Sequence, residues 1–327
     1  METSGWPAAL SRARLHVVTG KGGTGKTTVA AALALALATD GRRTLLIEVE
    51  GRQGIAQLFD TPPLPYEERR IASAPGGGEV RALAVDVEEA LLEYLAMFYN
   101  LRSAGRALRR MGAVDFATTI APGMRDVLLT GKVKEAVTRT RQGHRVYDAV
   151  VLDAPPTGRI TRFLNVTAEV AGLAKVGPIK TQSDGVMAVL RSPQTAVHVV
   201  TLLEEMPVQE TVDAVTELRA AHLPVGSVIV NMTRPPLLPE PVLAAGRIDT
   251  AELRAGLAAA GLDAKLAPAL AAEAVEHAER WRVEDDNRRT LLGLGLPTIE
   301  LPFLAGPIDL GGLYELAELL RPEEVAA

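Results

Sequence analysis

The sequence predicts an α/β fold built on a doubly wound, mainly parallel β-sheet. Apolar segments typical of buried strands recur along the 327 residues and alternate with stretches of helical periodicity. The first such strand, residues 14–19, runs through a glycine-rich turn into a helix at residues 27–38, and a later strand, residues 146–152, ends in Asp153. Ligands of open parallel sheets bind beyond the carboxyl ends of the strands, so these two strand ends mark the expected functional edge.

The turn after the first strand has the spacing of a phosphate-binding loop, or P-loop. Gly20, four further residues and then Gly25-Lys26-Thr27 fill the pattern. Glycines let successive N–H groups converge on an anion at a helix N-terminus, which also favours negative charge. The alternative, a glycine-rich turn without a ligand, is disfavoured by the strand and helix on either side. The residues predicted to bind nucleotide here are Gly20, Lys21, Gly22, Gly23, Thr24, Gly25, Lys26, Thr27 and Thr28.

A magnesium site is predicted beside the P-loop. Lys26 would reach the β- and γ-phosphates of a nucleotide, and the Thr27 hydroxyl would bind Mg²⁺. Asp153 ends an apolar strand downstream of the P-loop, as expected of the Walker B aspartate that holds the ion; capping of the next helix is its alternative role. Gly158 is a candidate N–H donor to the γ-phosphate.

The remaining pattern predicts a single P-loop NTPase domain over residues 1–327. Further strands are predicted at residues 44–49, 80–85, 197–203, 225–230 and 298–301. A helical insertion is predicted at about residues 87–141 and a C-terminal helical segment at about residues 249–292, with further helices at 208–221 and 313–320. Residues 61–78, rich in proline and glycine, are predicted to form a loop. An arginine cluster is predicted to lie on a solvated helix face, with an anion or partner site as the alternative: Arg280, Arg282, Arg288 and Arg289.

Composition excludes several classes of protein. The net charge of −5 argues against a nucleic-acid binder that relies on bulk electrostatics. Cysteine is absent, so disulfides and cysteine-liganded zinc sites are excluded, and no zinc is expected. The first 14 residues lack the apolar stretch of a signal peptide. We therefore expect a cytoplasmic protein, with peripheral membrane association left open.

ATP is the favoured nucleotide. GTP specificity usually requires Asn/Thr-Lys-x-Asp after a late strand, and the corresponding residues here are Asn231-Met232-Thr233-Arg234. The amide is kept, but the lysine and the aspartate are missing. Asn231 can still donate to and accept from adenine.

Several motifs together resemble one family. They are the P-loop with its second lysine, Lys21; the segment Asp153-Ala154-Pro155-Pro156-Thr157-Gly158-Arg159; Pro122-Gly123-Met124 in the insertion; Glu210-Thr211 ahead of Asn231; and Pro302-Phe303. These motifs resemble the ATPases that drive arsenical pumps and deliver tail-anchored membrane proteins, a deviant Walker A branch, of which this chain would be a cysteine-free bacterial member.

The resemblance implies an enzyme that acts as a nucleotide-bridged dimer with ATP and Mg²⁺. Lys21 would cross the interface to the partner's phosphates, and the partner would be a second copy or a related ATPase subunit. Glu204 would lie near that interface, with an ordinary helix-entry carboxylate as the alternative. Asn231, Pro302 and Phe303 would hold adenine. A protein cargo or membrane partner is implied but not identified.

The loop after the second predicted strand, which is the first switch of this family, departs from the family pattern. The family has Asp-Pro-Ala-His after the second strand, and its aspartate orients the attacking water; this chain has Glu50-Gly51-Arg52-Gln53. Glutamate is one methylene longer, and a displacement of about 1 Å can cost on the order of a hundredfold in rate. The predicted catalytic residues are therefore Glu50, Lys21 and Lys26, with slow hydrolysis expected.

Two other functions remain open. ATP would act as a switch with negligible turnover if Glu50 cannot position water. A partitioning or membrane-positioning ATPase would need a basic terminal helix, whereas residues 315–327 are acidic with one arginine. Because this chain lacks cysteine and its region after Leu164 is short, neither the arsenical cargo nor the tail-anchored cargo of the family can be assigned to it.

Overall fold

The computed structural model describes residue 10 and residues 12–99, 124–173 and 178–321. Its strands are β1 (Leu15–Gly20), β2 (Arg43–Glu48), β3 (Arg69–Ala74), β4 (Gly78–Ala84), β5 (Thr140–Arg141), β6 (His144–Arg145), β7 (Ala149–Asp153), β8 (Thr195–Thr201), β9 (Val225–Thr233) and β10 (Thr298–Pro302). The α-helices are α1 (Lys26–Leu37), α2 (Gly54–Leu58), α3 (Val87–Tyr99), α4 (Met124–Thr138), α5 (Thr157–Leu173), α6 (Pro178–Leu190), α7 (Glu205–Ala220), α8 (Glu240–Ala245), α9 (Thr250–Ala259), α10 (Ala267–Leu292) and α11 (Leu310–Leu319).

Eight strands form one sheet in the order β10-β9-β8-β1-β7-β2-β4-β3. Every neighbouring pair is parallel except β3 with β4, which is antiparallel at the edge. Strands β5 and β6 form a separate two-stranded hairpin. The predicted α/β class and mainly parallel sheet are therefore confirmed.

Helices cover both faces of the sheet, as a doubly wound fold requires. Helix α1 consists almost entirely of alanine, leucine and valine after its first turn, and it is buried from Val29 to Leu37. Together with α11 it packs on one face, while α4, α5, α6 and α7 contribute to the core on the other. Because small alanines let α1 approach the strands closely, its N-terminus is held rigidly against the end of β1.

The structure corrects one expectation about local structure and adds two helices for which no prediction was made. Residues 69–74 form strand β3 within the stretch that was predicted to be loop. The region after Leu164 carries helices α5 and α6, which the sequence interpretation did not anticipate. The predicted insertion is helical at α3 and α4, and residues 100–123, including Pro122 and Gly123, lie outside the described residues. In the described part of the chain, none of the helices combines the length and apolar character needed to cross a bilayer.

Two buried histidines join strand β1 to its neighbour β8. His16 Nδ1 lies 3.1 Å from His198 Nε2, the rings stack with centroids 5.3 Å apart, and both side chains are fully buried. The carbonyl oxygen of Ala13, 3.2 Å from His16 Nε2, can only accept, so His16 Nε2 carries a proton. Because burial lowers the pKa of His16 to about 4, its ring is neutral near pH 7, and Nδ1 therefore accepts from His198. The hydroxyl of Ser227 then donates to His198 Nδ1 at 2.7 Å. This relay requires both imidazoles to be neutral.

Candidate nucleotide-binding site

The P-loop links β1 to α1 in a conformation that depends on two glycines. A Cβ at Gly20 would lie 2.2 Å from the carbonyl oxygen of Val200 on the neighbouring strand, so no side chain fits there. Gly25 has φ of 84°, in the left-handed region, and a Cβ at this position would lie 2.3 Å from Asn231 Nδ2. The Thr24 hydroxyl donates to the Lys21 carbonyl at 2.9 Å and closes the loop. Both glycines are therefore required by the backbone.

The predicted metal ligands meet at the foot of the loop. Thr27 Oγ1 donates to Asp153 Oδ2 at 2.7 Å across 126 residues of sequence. Asp153 ends β7, which lies between β1 and β2, and its register partners are Val18 and Glu48. Two hard oxygen donors are thus adjacent, as Mg²⁺ prefers, and further ligands of this ion usually come from phosphate and water.

Burial controls the ionisation of the charged groups at this site. It raises the pKa of Asp153 to about 6, whereas the Thr27 hydroxyl and the Lys26 ammonium lower it and the carboxylates of Glu48 and Glu50 add to the rise. Burial likewise lowers the pKa of Lys26, against the opposing effect of Asp153 and Glu50. Lys26 Nζ donates to the Lys21 carbonyl at 3.2 Å. A bound cation beside Asp153 would favour its ionised form.

Two glutamates near the carboxyl end of β2, Glu48 and Glu50, have different surroundings. Glu48 is buried, and its carboxylate accepts from the backbone N–H groups of Gln53 at 2.5 Å and Ile55 at 3.5 Å. These bonds fix the loop that follows β2. Glu50 is only partly buried and lies 3.7 Å from Arg52 Nε. Glu50 is therefore the carboxylate that remains available to water, and Arg52 competes for it.

Lys21 is held within its own chain. Its Nζ lies 2.8 Å from Glu210 Oε1, and Glu210 Oε2 accepts from the Thr157 hydroxyl at 3.2 Å. Glu210 lies on α7, whereas Thr157 opens α5 directly after the Asp153 segment. One carboxylate thus joins the P-loop to the segment that follows Asp153.

A cavity of about 490 Å³ lies beside the P-loop and is lined by Asn231, Phe303 and Glu204. Asn231 Nδ2 donates to the Thr24 carbonyl at 2.9 Å, so this side chain fixes the P-loop as well as facing the cavity. The guanidinium of Arg234 lies 4.2 Å from the centre of the Phe303 ring. Glu204 immediately precedes α7 and its side chain makes no capping bond. The cavity is large enough for a nucleoside and offers a flat stacking surface.

The structure brings most of the predicted residues to this edge of the sheet. Thr28 lies in the first turn of α1, and Gly158 in the first turn of α5. Pro302 ends β10 and pairs with Thr233, which brings Phe303 beside the end of β9 that carries Asn231. Apart from the adjacent residues and, for Gly158, the backbone of its own helix, no atom of the described residues lies within 4 Å of a Cβ placed at Gly22, Gly23 or Gly158. These positions are therefore open to a ligand.

Sequence interpretation missed two side chains at the site. Glu48 was given no role, although an acidic residue that ends an apolar strand was a usable signal. Arg234 was noted only as a departure from the guanine motif, and its stacking on Phe303 depends on the pairing of β10 with β9. In the arginine cluster, Arg288 pairs with Glu300 at 2.6 Å and Arg280 lines the cavity, so the cluster is partly structural and partly at the site.

Comparison with known proteins gives a consistent result. Residues 13–190 match the family model described as "Anion-transporting ATPase". The chain is 58% identical to the ATPase BagA of Mycobacterium tuberculosis, with 98% of this chain and 96% of that protein aligned. It is 26% identical to the arsenical pump-driving ATPase of Acidiphilium multivorum, over 52% of this chain and 28% of that protein.

Proposed function

This chain belongs to the anion-transporting ATPase family, and we propose that it is a Mg²⁺-dependent ATPase that works as a nucleotide-bridged dimer. ATP binding and hydrolysis would couple dimer closure to a protein cargo or a membrane partner. The observation that carries the proposal is the 2.7 Å contact between Thr27 and Asp153 beneath a complete P-loop.

In this proposal each group of the site has a defined role. Thr27 and Asp153 hold Mg²⁺, which when bound neutralises charge on the phosphate oxygens. Lys26 neutralises the same phosphates from the loop. Glu50 orients the attacking water and accepts its proton, while the backbone bonds of Glu48 keep that loop in place.

The base and the ribose would occupy the cavity beside the loop. Asn231 uses one N–H for the Thr24 carbonyl and keeps its carbonyl oxygen and second N–H for adenine. Phe303, which is 44% exposed, and Arg234 together offer a stacking surface for the base. Both features support ATP as the nucleotide.

Dimerisation is proposed from the resemblance of the P-loop, whose second lysine is Lys21, to the family motif. Its side chain is 29% exposed, so it can leave Glu210 and reach the phosphates bound by a second subunit. The second subunit is either another copy or a related ATPase that keeps the aspartate at the Glu50 position. A capture experiment from the native cell with ATP separates these cases, since recovery of this chain alone would favour the homodimer.

A switch with negligible turnover is the second candidate. It is favoured by the 3.7 Å contact of Arg52 with Glu50, because Arg52 competes with a water molecule for that carboxylate. In that case ATP binding alone would drive closure.

Measurement of phosphate release with MgATP tests the enzyme proposal. We expect multiple turnovers by the wild type and a loss of at least about tenfold in Glu50→Ala, since general-base catalysis contributes roughly 10²–10⁴-fold. Glu252→Ala is the matched control, because it removes an exposed carboxylate from the distant helix α9. MgATP binding without turnover would reject the enzyme and favour the switch.

A further inference from the structure

A second cavity lies at the other end of the parallel strands from the P-loop, beside the residue that begins β2. Its volume is about 540 Å³, and its wall contains four arginines, Arg43, Arg81, Arg139 and Arg141. Arg43 begins β2, and Arg81 faces the same side of β4, because Arg43 pairs with Glu79 and Leu45 pairs with Arg81. Glu68 is the single acidic residue among the described residues that line the cavity.

The two sheet arginines share one carboxylate. Arg43 Nε lies 2.8 Å and Arg81 Nε lies 3.2 Å from the same oxygen, Glu79 Oε1. Arg70 Nε lies 3.9 Å from the other oxygen of Glu79. Three guanidiniums therefore meet one carboxylate, and within the described part of the chain no acceptor binds the terminal nitrogens of Arg43 or Arg81. The side chains of Arg43 and Arg81 are 54% and 38% exposed, so their terminal nitrogens are accessible to a ligand from solvent.

Arg139 is fixed on the other side of the cavity. Its guanidinium pairs with Glu68 and lies 5.5 Å from the centre of the Tyr147 ring, while the Tyr147 hydroxyl donates to Glu68 at 2.6 Å. Arg139 directly follows α4, and Arg141 is exposed on the hairpin formed by β5 and β6. The wall is therefore rigid around Arg139 and open at Arg141.

These positions define the chemistry of a ligand. Guanidiniums bind phosphate and carboxylate through paired N–H groups, and donors held in place before binding lose little entropy. The excess of positive charge stands out in a chain whose net charge is −5. The four arginines of the lining come from two places in the fold, Arg43 and Arg81 from the sheet and Arg139 and Arg141 from the end of α4 and the hairpin, which suits an anion with more than one phosphate.

We propose that this cavity binds an anion that carries two or more phosphate groups. Arg43 and Arg81 would bind one phosphate through their terminal nitrogens, and Arg139 and Arg141 would bind the other. The phosphates belong either to a free small molecule or to the headgroup of a lipid.

Binding of inorganic pyrophosphate, measured by calorimetry on the full chain at physiological ionic strength, tests the proposal. The test variant is Arg81→Gln with Arg141→Gln, and the control is Arg247→Gln with Arg254→Gln. The control removes the same charge from exposed positions outside this cavity, so diffuse attraction changes equally. Thermal unfolding of all three proteins verifies the fold.

We expect the wild type and the control to bind one more equivalent of pyrophosphate than the test variant, in which affinity for that site falls at least about tenfold. Any binding at the P-loop is common to all three proteins, so the result does not depend on the ATPase proposal. A different result would assign the phosphates to a lipid headgroup. In that case none of the proteins takes up pyrophosphate at this site, the wild type and the control sediment with phosphatidylinositol-phosphate vesicles, and the test variant does not. Equal pyrophosphate uptake by all three proteins, together with equal vesicle binding, would overturn the proposal.

Discussion

Replacing Glu210 by glutamine should promote ATP-dependent dimerisation. In the structure Glu210 holds Lys21 at 2.8 Å and also accepts from Thr157 at 3.2 Å. Glutamine keeps an oxygen that can accept from Thr157, but it loses the charge that holds the lysine. Because the dimer proposed above requires Lys21 to leave Glu210, the substitution removes a contact that stabilises only the separated subunit.

The size of the effect follows from the exposure of the pair. The side chains of Lys21 and Glu210 are 29% and 37% exposed, so solvent screens their attraction. Pairs of this kind contribute about 0.2–1 kcal/mol each. Formation of a homodimer breaks two such pairs. Their removal by the substitution corresponds to an increase of about 2- to 30-fold in the association constant of the dimer.

Light scattering over a range of protein concentrations, with a non-hydrolysable ATP analogue and Mg²⁺, measures that constant. Glu217→Gln is the matched control, because Glu217 also lies on α7 and accepts from a threonine of α5, Thr161, at 3.1 Å but pairs with no lysine among the residues that the structure describes. We expect tighter association for Glu210→Gln and no change for the control. Equal or weaker association of Glu210→Gln would refute the role assigned to the pair.

Three further results are expected. Asn231→Ala should weaken ATP binding about fivefold in calorimetry, because the hydrogen bond that its free amide groups are proposed to make with adenine, of about 1 kcal/mol, is lost; unchanged affinity would contradict its place at the site. Gly25→Ala should weaken nucleotide binding at least about tenfold, since φ of 84° and the clash with Asn231 both oppose a side chain, and retained affinity would show that the loop adjusts. The free energy of unfolding from urea denaturation should fall as the pH drops from 7 to 5. Burial lowers the pKa of His16 to about 4 and that of His198 well below its usual value, so protons bind the unfolded chain first. His16 alone accounts for a loss of about 2 kcal/mol at pH 5, which exceeds the gain of about 1 kcal/mol from protonation of Asp153, whose pKa is raised to about 6; a free energy of unfolding that did not fall would contradict the neutral pair.

The strand ends that form the site were predictable because their signals are local. Asp153 follows an unbroken apolar strand, and the P-loop glycines have a spacing that few other structures require. Strand β3 was missed because residues 61–78 are rich in proline and glycine and because an antiparallel edge strand with exposed arginines lacks apolar alternation.

Contacts between distant parts of the chain could not be predicted from local patterns. The pairing of Lys21 with Glu210 depends on where α7 packs after β8, which sequence spacing alone does not determine. The same holds for the second cavity, since Arg43, Arg81 and Arg139 meet only when β2 and β4 pair and α4 ends beside them. The resemblance to the family supplied an expected partner for Lys21 in a second subunit, whereas the structure gives its position within one chain.

The most direct test of the central claim compares the wild type with Lys26→Ala in two assays, calorimetric binding of MgATP and phosphate release under multiple turnover. Lys26 is buried at the P-loop, beside the Thr27 and Asp153 pair. The account predicts that Lys26→Ala loses phosphate release and binds MgATP much more weakly, while thermal unfolding verifies that the variant is folded. Unchanged MgATP affinity and unchanged phosphate release in the folded variant would contradict the account.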